Sequence, residues 1–556
     1  MIKKAFYITL ILLVNTHFFA QNKWKSKIEN LPQEKIFVHI NSTLFLTGEH
    51  ILYSVYCLDF IKNTPSTLSK IAYVELIDAE NKSVLKQKVN LKNGNGYSDI
   101  FLSSSVKTGA YKLISYTQWM RNQKNYFEEN IFIINPFQKK LSLSTSETND
   151  LHKIDKVNTK AQINVKTNKE KYTKREKINL FFDKNNIQNI SISVAKIDDL
   201  ELPQNKKKSY SLYEFDKEKN TSNITFIPEL RGELFEGKLI SKHAINNKNI
   251  AISFGGENSI TKISTTDKKG IFYFNINNPY TTNEVYLEVL EDNNTKYSIV
   301  LNDNTKINKE FSDFKELELS ENLRKYIKQK SKYIQIENAF SSVKQPNYVK
   351  EVQNKVVFYA NENTTKYVLD DFKRFKTVKE VAVEILKDVW IEKENNKNRF
   401  RLRDINLVSD SNLETLLIVD GFIITNHQQF IDSDALKIYS IDVVQEKYFF
   451  GDKLYQGILH IETFKNDFKP LLNTAQKFAL LKPEKEKIYF HPNYTTSKNK
   501  NIPDYRTQLY WNPRIDENSK EVIFFSSDVS GKFKVDVQGF TKEGLPISEE
   551  YYFTVK

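Results

Sequence analysis

Residues 39–57 read HINSTLFLTGEHILYSVYC, where a polar turn precedes the alternating apolar residues Ile51, Tyr53 and Val55. A period of two is the pattern of a half-buried β-strand. The same arrangement returns in residues 165–182, VKTNKEKYTKREKINLFF, at an offset of 127 positions (168 − 41 = 127). The matching pairs are Asn41 and Asn168, Phe45 and Tyr172, Glu49 and Glu176, and Ile51 and Ile178. An offset of this length predicts a duplicated domain rather than a solenoid repeat.

A second internal similarity links the first copy to the end of the chain. The segment FLSSSVKTGAYKLISY, which begins at Phe101, matches FFSSDVSGKFKVDVQG, which begins at Phe524. In each, a glycine (Gly109 or Gly531) comes shortly before an aromatic residue and an alternating strand. Glycine permits the turn and the aromatic ring fills a sandwich core, so this motif is structural.

The composition indicates a β-rich chain of several domains. At about 150 residues per domain, 556 residues predict roughly three to four domains. The chain has 38 Phe, 29 Tyr and 4 Trp but only 15 Gly, 2 Met and 1 Cys, which favours antiparallel β-sandwiches over helix bundles. The net charge of +13 comes mostly from scattered Lys, with one run at 206–208, and scattered Lys indicates a solvated surface rather than a nucleic-acid site.

The first twenty residues have the features of a secretory signal peptide. A basic start at 3–4 precedes a short apolar run at 5–14, and Ala20 offers a small residue for cleavage. No cysteine directly follows the run, so we expect no lipid anchor. The run is too short to span a bilayer, so we also expect no transmembrane segment after cleavage. Cys57 is the only cysteine and no intrachain disulfide can form, which favours the periplasm or outer membrane of a Gram-negative cell, on either face.

Three segments resemble domains of large bacterial envelope proteins. EKIFVHINSTLFLTGEHILYSVYCLD (34–59), with the strands that follow it to residue 122, resembles a macroglobulin-type sandwich. Residues 504–544, which begin DYRTQLYWNPR, are similar to a terminal sandwich of the same proteins. Residues 237–300, with NIAISF and TTDKKGIFYFNI, resemble a carboxypeptidase regulatory-like module. The resemblance implies tandem Ig-like or macroglobulin-like β-sandwiches.

Two helices are predicted between these β-rich segments. Leu323, Ile327 and Ile334 stand at helical spacing in a stretch without Gly or Pro, which predicts a helical connector that ends before Pro346. Thr377 and Glu380 match a capping box, in which the two side chains satisfy free backbone amides at a helix start.

The segments LETLLIVDGFIITN (413–426) and IYSIDVVQEKYFFGDKLYQGILHIET (438–463) predict strands around Asp420-Gly421, Gly451 and Gly457. This order resembles the plug domain of TonB-dependent outer-membrane transporters. Only 93 residues follow Thr463 (556 − 463 = 93), whereas a barrel of about 22 strands needs several hundred. We therefore expect a plug-like domain without a barrel, and the resemblance implies a partner barrel on another chain.

No catalytic or metal-binding motif emerges. The thioester run Cys-Gly-Glu-Gln, GxSxG, HExxH and a Walker loop are all absent, and Cys57 falls in a predicted strand as a small hydrophobe. His39 and His50 flank one predicted hairpin but lack a third ligand. The acidic neighbours Asp198-Asp199, Asp370-Asp371 and Asp432-Ser433-Asp434 fit turns or helix starts. The remaining histidines of the mature chain are His152, His243, His427, His460 and His491. We predict no enzymatic activity, no cofactor and no metal.

The predicted function is that of a non-catalytic accessory or scaffold subunit of an outer-membrane protein complex. The partner is a TonB-dependent transporter or a barrel-assembly or secretion machine, docked through sandwich edges and the plug-like domain. One alternative is a glycan-binding or glycan-processing protein with Trp119, Tyr116 and Tyr126 as its aromatic platform, and another is an exported substrate of a dedicated secretion system. The predicted segments are a signal peptide (1–20), macroglobulin-like sandwich (21–137), linker (138–160), second macroglobulin-like sandwich (161–231), carboxypeptidase regulatory-like sandwich (232–306), helical connector (307–350), plug-like domain (351–468) and C-terminal sandwich (469–556).

Overall fold

The structure is a computed structural model, and strands predominate over helices in it, which confirms a mainly β chain of several sheets. The chain divides into a first unit, Met1–Leu230 with Ile307–Val349 and Glu484–Lys556, and a second unit, Arg231–Lys306 with Lys350–Pro483. The predicted signal peptide, and the predicted linker apart from Gln138, lie outside the described residues. Those residues are 31–138, 163–182, 187–197, 224–256, 259–290, 296–302, 306–307, 309–314, 320–349, 359, 363–394, 397–405, 412–451, 453–470, 475–495, 500–515 and 519–556.

Eight strands form the first β-sandwich, in the first unit. One sheet has the order β1-β3-β6 and the other β2-β8-β7-β4-β5, in which β2 runs parallel to β8. The alternating residues Ile51, Tyr53 and Val55 are completely buried in its core, as their period predicts. The strands are β1 (Glu34–Ile40), β2 (Leu44–Leu46), β3 (His50–Asp59), β4 (Ile71–Asp78), β5 (Ser83–Asn90), β6 (Asn95–Phe101), β7 (Gly109–Tyr116) and β8 (Phe127–Ile134).

The second β-sandwich of this unit repeats the first strand by strand. Its sheets have the orders β9-β11-β30 and β10-β32-β31-β12-β29, and β10 runs parallel to β32. The first four and last four strands therefore correspond to β1–β4 and β5–β8. They are β9 (Val165–Thr167), β10 (Lys171–Tyr172), β11 (Lys177–Phe182), β12 (Ile187–Lys196), β29 (Gln508–Asn512), β30 (Glu521–Phe525), β31 (Gly531–Thr541) and β32 (Pro546–Val555).

Hydrogen bonds repeat at the same offset and confirm the duplication. The Asn41 side chain accepts from the backbone N–H of Leu52 at 2.9 Å, and Asn168 accepts from Asn179 at 3.0 Å. Likewise Glu49 accepts from the N–H three residues before it at 2.7 Å, and its counterpart Glu176 does so at 2.7 Å. The same bonds occur in both copies although the flanking residues differ. The repeated polar residues therefore hold the turn between the second and third strands of each sandwich.

One predicted boundary is wrong. Residues 161–231 and 469–556 were expected to form two separate sandwiches, but strands from both segments share the same two sheets. β12 pairs with β31 from Ile187 to Lys196 and with β29 on its other edge. The second sandwich is thus interrupted between its fourth and fifth strands by more than 300 residues (508 − 196 = 312). Neither half has enough strands to cover a core alone, because each sheet needs strands from both halves.

The second unit contains another two-sheet β-sandwich in the segment predicted as regulatory-like. Its sheets have the orders β16-β13-β18 and β15-β14-β17-β27. The last strand comes from the segment that was assigned to the C-terminal sandwich, so that boundary also differs from the prediction. The strands are β13 (Glu233–Ile240), β14 (Asn249–Phe254), β15 (Ile260–Thr265), β16 (Ile271–Ile276), β17 (Glu284–Val289), β18 (Ser298–Leu301) and β27 (Ala475–Ala479).

A mixed α+β region completes the second unit. A five-stranded sheet has the order β20-β25-β26-β23-β24, with β23 parallel to β26, and β21 pairs with β22 in a separate hairpin. The predicted capping box is present at the start of α2, where Thr377 and Glu380 bond each other's backbone N–H groups. The elements are β20 (Thr364–Val368), β21 (Val389–Glu394), β22 (Lys397–Leu402), β23 (Leu416–Val419), β24 (Phe422–Ile423), β25 (Ile438–Phe450), β26 (Lys453–Thr463), α2 (Val378–Glu384) and α3 (Gln428–Ile431).

The predicted connector helix is α1 (Glu321–Ala339), which Ser320 caps by accepting from the backbone N–H of Leu323. The short strands β19 (Asn347–Tyr348) and β28 (Lys487–Ile488) pair with each other in the first unit, which also contains α1. Across the described part of the chain, no helix combines the length and apolar character needed to cross a membrane.

Candidate functional site

Helix α1 packs against the first sandwich through its first half and contacts the chain that leads into the second sandwich through its second half. Leu323 and Ile327 are buried with apolar residues of β2 and β8. Lys330 is buried beside them, and its Nζ lies 2.9 Å from Glu49 Oε2, in the turn that the sequence repeat identifies. The helix is therefore a bracing element rather than a free connector.

The second half of α1 contacts the chain that leads into the second sandwich. The backbone N–H of Tyr505 donates to Glu337 Oε1 at 2.6 Å, and the rings of Tyr333 and Tyr505 stack at 5.2 Å. Lys344, just beyond the helix, is 2.7 Å from Glu337 and donates to the carbonyl of Pro503 at 2.9 Å. These bonds fix the helix relative to both sandwiches.

A cavity of about 270 Å³ lies between α1 and the end of the first sandwich, and we name it the helix groove. Its walls come from the end of the first sandwich and from one side of the helix, and the lining residues are Thr47, Gly48, Phe101, Ser103, Ser104, Pro136, Phe137, Ser331, Ile334, Gln335 and Asn338. Gly48 has φ +93°, and a Cβ there would lie 2.8 Å from Ile334 and 2.9 Å from Asn338. The close approach of the helix to this turn therefore requires glycine.

A histidine–aspartate pair adjoins the helix groove. His50 Nδ1 lies 2.7 Å from Asp99 Oδ2, and Lys487 Nζ lies 2.6 Å from Asp99 Oδ1. Burial opposes ionisation of Asp99, but His50 and Lys487 outweigh it and hold the pKa of this carboxyl below its usual value. The His50 ring is also 5.0 Å from Phe101, which lines the groove. No described Ser, Thr or Cys bonds the other ring nitrogen, so the pair lacks the nucleophile of a hydrolase triad.

A second polar cluster has the residue types of a hydrolase triad but is closed to solvent. His39 Nδ1 lies 2.6 Å from Ser191 Oγ, and His39 Nε2 lies 3.7 Å from Asp536 Oδ2. The three residues are 1%, 0% and 2% exposed. Tyr56 also donates to Ser191 Oγ, at 2.8 Å. Because a substrate cannot reach buried groups, we assign the cluster to the contact between the two sandwiches.

His39 and His50, the two histidines that flank the predicted hairpin, have different partners. His39 pairs in the β1–β3 ladder with Ser54, whereas His50 pairs with Phe101 in the β3–β6 ladder. Sequence reasoning missed the His39 cluster because 152 positions separate His39 from Ser191. No local spacing signals such a contact.

The predicted aromatic platform is not available for glycan binding. Trp119, Tyr116 and Tyr126 are 2%, 0% and 2% exposed, and the Tyr116 hydroxyl donates to the buried Glu75 at 2.5 Å. Their rings pack in or beside the first sandwich core, so the glycan-binding alternative loses the residues nominated for it.

Two histidines, one in each unit, are held neutral by burial. Burial lowers the pKa of His427 to about 4, and its Nδ1 accepts from the backbone N–H of Phe400 at 3.1 Å. Burial likewise lowers the pKa of His491 to about 4, where the backbone N–H of Trp511 lies 3.4 Å from Nε2. Both nitrogens act as acceptors and need an unprotonated ring.

The other candidate residues have structural partners. Cys57 is fully buried, and burial raises the pKa of its thiol well above the ordinary value, which keeps it unreactive. Asp370 pairs with Arg374, and Asp434 caps a turn through the N–H of Leu436. Asp432 accepts from Gln428. His460 lies against the Tyr359 hydroxyl, whereas His243 is exposed.

No cluster of three or more His, Cys, Asp or Glu suited to a metal occurs among the described residues. His152 and Asp198-Asp199 lie outside them.

Asp420 and Gly421 form the predicted turn, and both have positive φ, at 47° and 84°. The buried Asp420 carboxylate accepts from the N–H and hydroxyl of Thr463 at 2.8 and 2.6 Å and from the N–H of Phe468 at 3.1 Å. The motif thus joins the end of β23 to the end of β26. The structure gives it an architectural role.

An exposed apolar corner lies at the β25–β26 end of this sheet. The rings of Tyr439 and Phe464 are 5.7 Å apart, and the residues are 40% and 51% exposed. The Arg374 guanidinium sits 5.2 Å from the Phe464 ring centroid. Leu436 is 52% exposed and is next to Lys437, whose backbone carbonyl accepts a hydrogen bond from the Phe464 N–H. We name these four residues the aromatic corner, and exposed aromatic–Arg groups are typical of protein interfaces.

No protein-family model and no curated protein sequence matches the chain. Among solved structures, a Salmonella alpha-2-macroglobulin reacted with methylamine is 9% identical, covers 94% of this chain and 39% of its own, and has a TM-score of 0.23. An Escherichia coli alpha-2-macroglobulin activated by porcine elastase is 8% identical, covers 94% and 44%, and has a TM-score of 0.24. The Escherichia coli adhesin FdeC is 10% identical, covers 46% and 58%, and has a TM-score of 0.14. The chain spans less than half the length of these macroglobulins.

Proposed function

We infer that the chain is a non-catalytic scaffold subunit of an outer-membrane protein complex, exported and held at the envelope by a protein partner. The observation that carries this proposal is the aromatic corner on the five-stranded sheet. Tyr439, Phe464 and Leu436 expose apolar surface beside Arg374, and none of them is needed to fill a described core. Aromatic and Arg side chains are the residues most enriched at interface centres.

The same sheet offers a second means of docking. β20 stands at the end of the strand order and pairs only with β25 among the described strands. An edge strand can accept an extended segment through backbone hydrogen bonds. The plug-like resemblance of residues 351–468 supports a β-barrel protein of the outer membrane as the partner.

The glycan-processing alternative receives no support from the geometry. Among the described residues, the grouping of His39, Ser191 and Asp536 is buried between the sandwiches, and no hydroxyl or thiol bonds the second ring nitrogen of the accessible His50. The export-substrate alternative stays a prediction.

The test is affinity purification of the tagged full chain from solubilised envelopes, with mass spectrometry of co-purified proteins. The double variant Tyr439→Ser, Phe464→Ser should lose an outer-membrane barrel protein that the unmodified chain retains. A matched double variant, Tyr273→Ser with Val300→Ser, changes residues of similar exposure on the β16-β13-β18 sheet of the same unit and should keep the partner. An unchanged partner set in the first variant contradicts the proposal.

A further inference from the structure

The helix groove has the size of a side-chain pocket. Its volume of about 270 Å³ is below the roughly 300–1,000 Å³ of sites that enclose a small molecule or cofactor. Phe101 and Phe137 expose 48% and 65% of their surface at its walls, and Ile334 stands on the helix side. Large apolar side chains exposed around a concavity mark a binding site more often than a plain surface.

The interior of the groove is uncharged and leaves one polar atom unsatisfied. None of the residues that line it is charged. The Ser331 hydroxyl is buried in the wall and has no hydrogen-bond partner among the described residues. A guest that is mainly apolar but carries a backbone donor or acceptor suits this interior.

Unpaired cations follow the helix next to the groove. Arg324, Lys328 and Lys332 are exposed at positions i, i+4 and i+8, and none has an ion-pair partner in the described residues. Helical neighbours place Lys328 beside Ser331 and Lys332 beside Gln335, both of which line the groove. By contrast, the buried Lys330 on the docked face pairs with Glu49. Like charges four residues apart oppose helix formation, so an acidic guest would relieve this repulsion.

The spacing of these cations fits an extended polypeptide. Four helical residues advance about 6 Å along the axis. Alternate side chains on one face of a strand are about 6.6–6.8 Å apart, which is close to the same repeat. Acidic side chains at alternate positions of an extended segment can therefore face successive cations.

We propose that the helix groove binds an extended segment of a partner protein, with one Phe or Leu side chain in the groove and acidic side chains on Lys328 and Lys332. Charge disfavours two other occupants. The chain that continues from Phe137 carries Lys139 and Lys140, and a second copy of the chain carries the same net charge of +13. This site lies in the first unit and does not depend on the aromatic corner.

The probe is a fluorescein-labelled peptide of eight residues with one Phe between alternating Asp and Glu, titrated with the full chain by fluorescence anisotropy. A dissociation constant on the order of 10 μM is expected for one anchored side chain with charge support. Replacing the Phe of the peptide with Ser, or introducing Phe137→Ser in the chain, should weaken binding at least tenfold.

Charge reversal provides the sharper test. The double variant Lys328→Glu, Lys332→Glu should lose the acidic peptide and gain a peptide in which Lys replaces the acids. Lys268→Glu with Lys269→Glu makes the same net change at exposed positions of the second unit and should leave binding unchanged. The exchanged specificity cannot arise from misfolding, so a fold defect and a lost contact are distinguishable.

Several results would overturn the proposal. The first is that the acidic peptide fails to bind the unmodified chain. The second is that both double variants bind the acidic peptide equally well. The third is that the unmodified chain binds phosphatidylglycerol vesicles in place of the peptide. Self-association that Phe137→Ser abolishes would assign the groove to a second copy instead.

Discussion

Substitution of Ile192 by Ala tests the interrupted second sandwich most directly. Ile192 is fully buried in β12 and pairs with Val537 of β31 and Asn512 of β29, both far along the chain. Removing three buried carbon atoms and leaving part of their volume empty costs about 3 kcal/mol. Since every 1.4 kcal/mol is tenfold, amides of this sandwich should become about 150-fold less protected against hydrogen exchange.

Hydrogen exchange followed by mass spectrometry reads each strand separately. In Ile192→Ala, peptides from Gly531–Thr541 should exchange faster together with those from β12, because the two strands belong to one core. Val74→Ala is the control, because Val74 is the equivalent residue of the first sandwich. Val74 pairs with Ser115, six residues after Gly109, and Ile192 pairs with Val537, six residues after Gly531. The control should affect β7 and spare β31. Faster exchange in β12 with unchanged β29–β32 would refute the shared core.

Gly48→Ala should lower the free energy of unfolding in urea by about 1–3 kcal/mol, because φ is +93° and the helix leaves no room for a Cβ. The control Gly109→Ala should change it little, because a Cβ at Gly109 would have its nearest contact at 3.9 Å. Equal effects of the two substitutions would contradict the close approach of the helix to Gly48. His427 keeps a folded pKa of about 4 against 6.5 unfolded, so its contribution is complete above pH 6.5 and is lost as the pH falls toward 4, by about 3 kcal/mol. Thermal melts should show this loss, and His427→Asn should flatten it by keeping an acceptor for Phe400. Asp420→Ala removes three hydrogen bonds in a buried turn and should destabilise the chain by about 2–4 kcal/mol in urea, and a change below about 0.5 kcal/mol would count against the architectural role.

Local features were predictable because their causes are local. Alternation at Ile51, Tyr53 and Val55 follows from the two-residue period of a strand and was confirmed by their burial. The capping box at Thr377 and the turn at Asp420 depend on groups within a few residues, and both are present.

The nature of the aromatic clusters was not predictable. Trp119 and its neighbours have the composition of a binding platform, yet they are buried, whereas Tyr439 and Phe464 form the exposed group. The sequence around an aromatic residue does not distinguish a buried ring from an exposed one. The exposure of a ring depends on which other elements pack over it, so the sequence did not reveal that the cluster nominated for the glycan-binding alternative is buried.

The sequence alone was enough to identify the duplicated strands, through their periodicity and the offset of 127 positions. The same hydrogen-bonded turn requires the same residue types in both copies, so the repeat is visible in the sequence. The closure of the second copy by β29–β32 became visible only in the folded chain. A strand's pattern records that one face is buried but not which partner covers it. Pairing between β12 and β31 depends on shape and burial, although more than 300 residues separate the two strands in the chain.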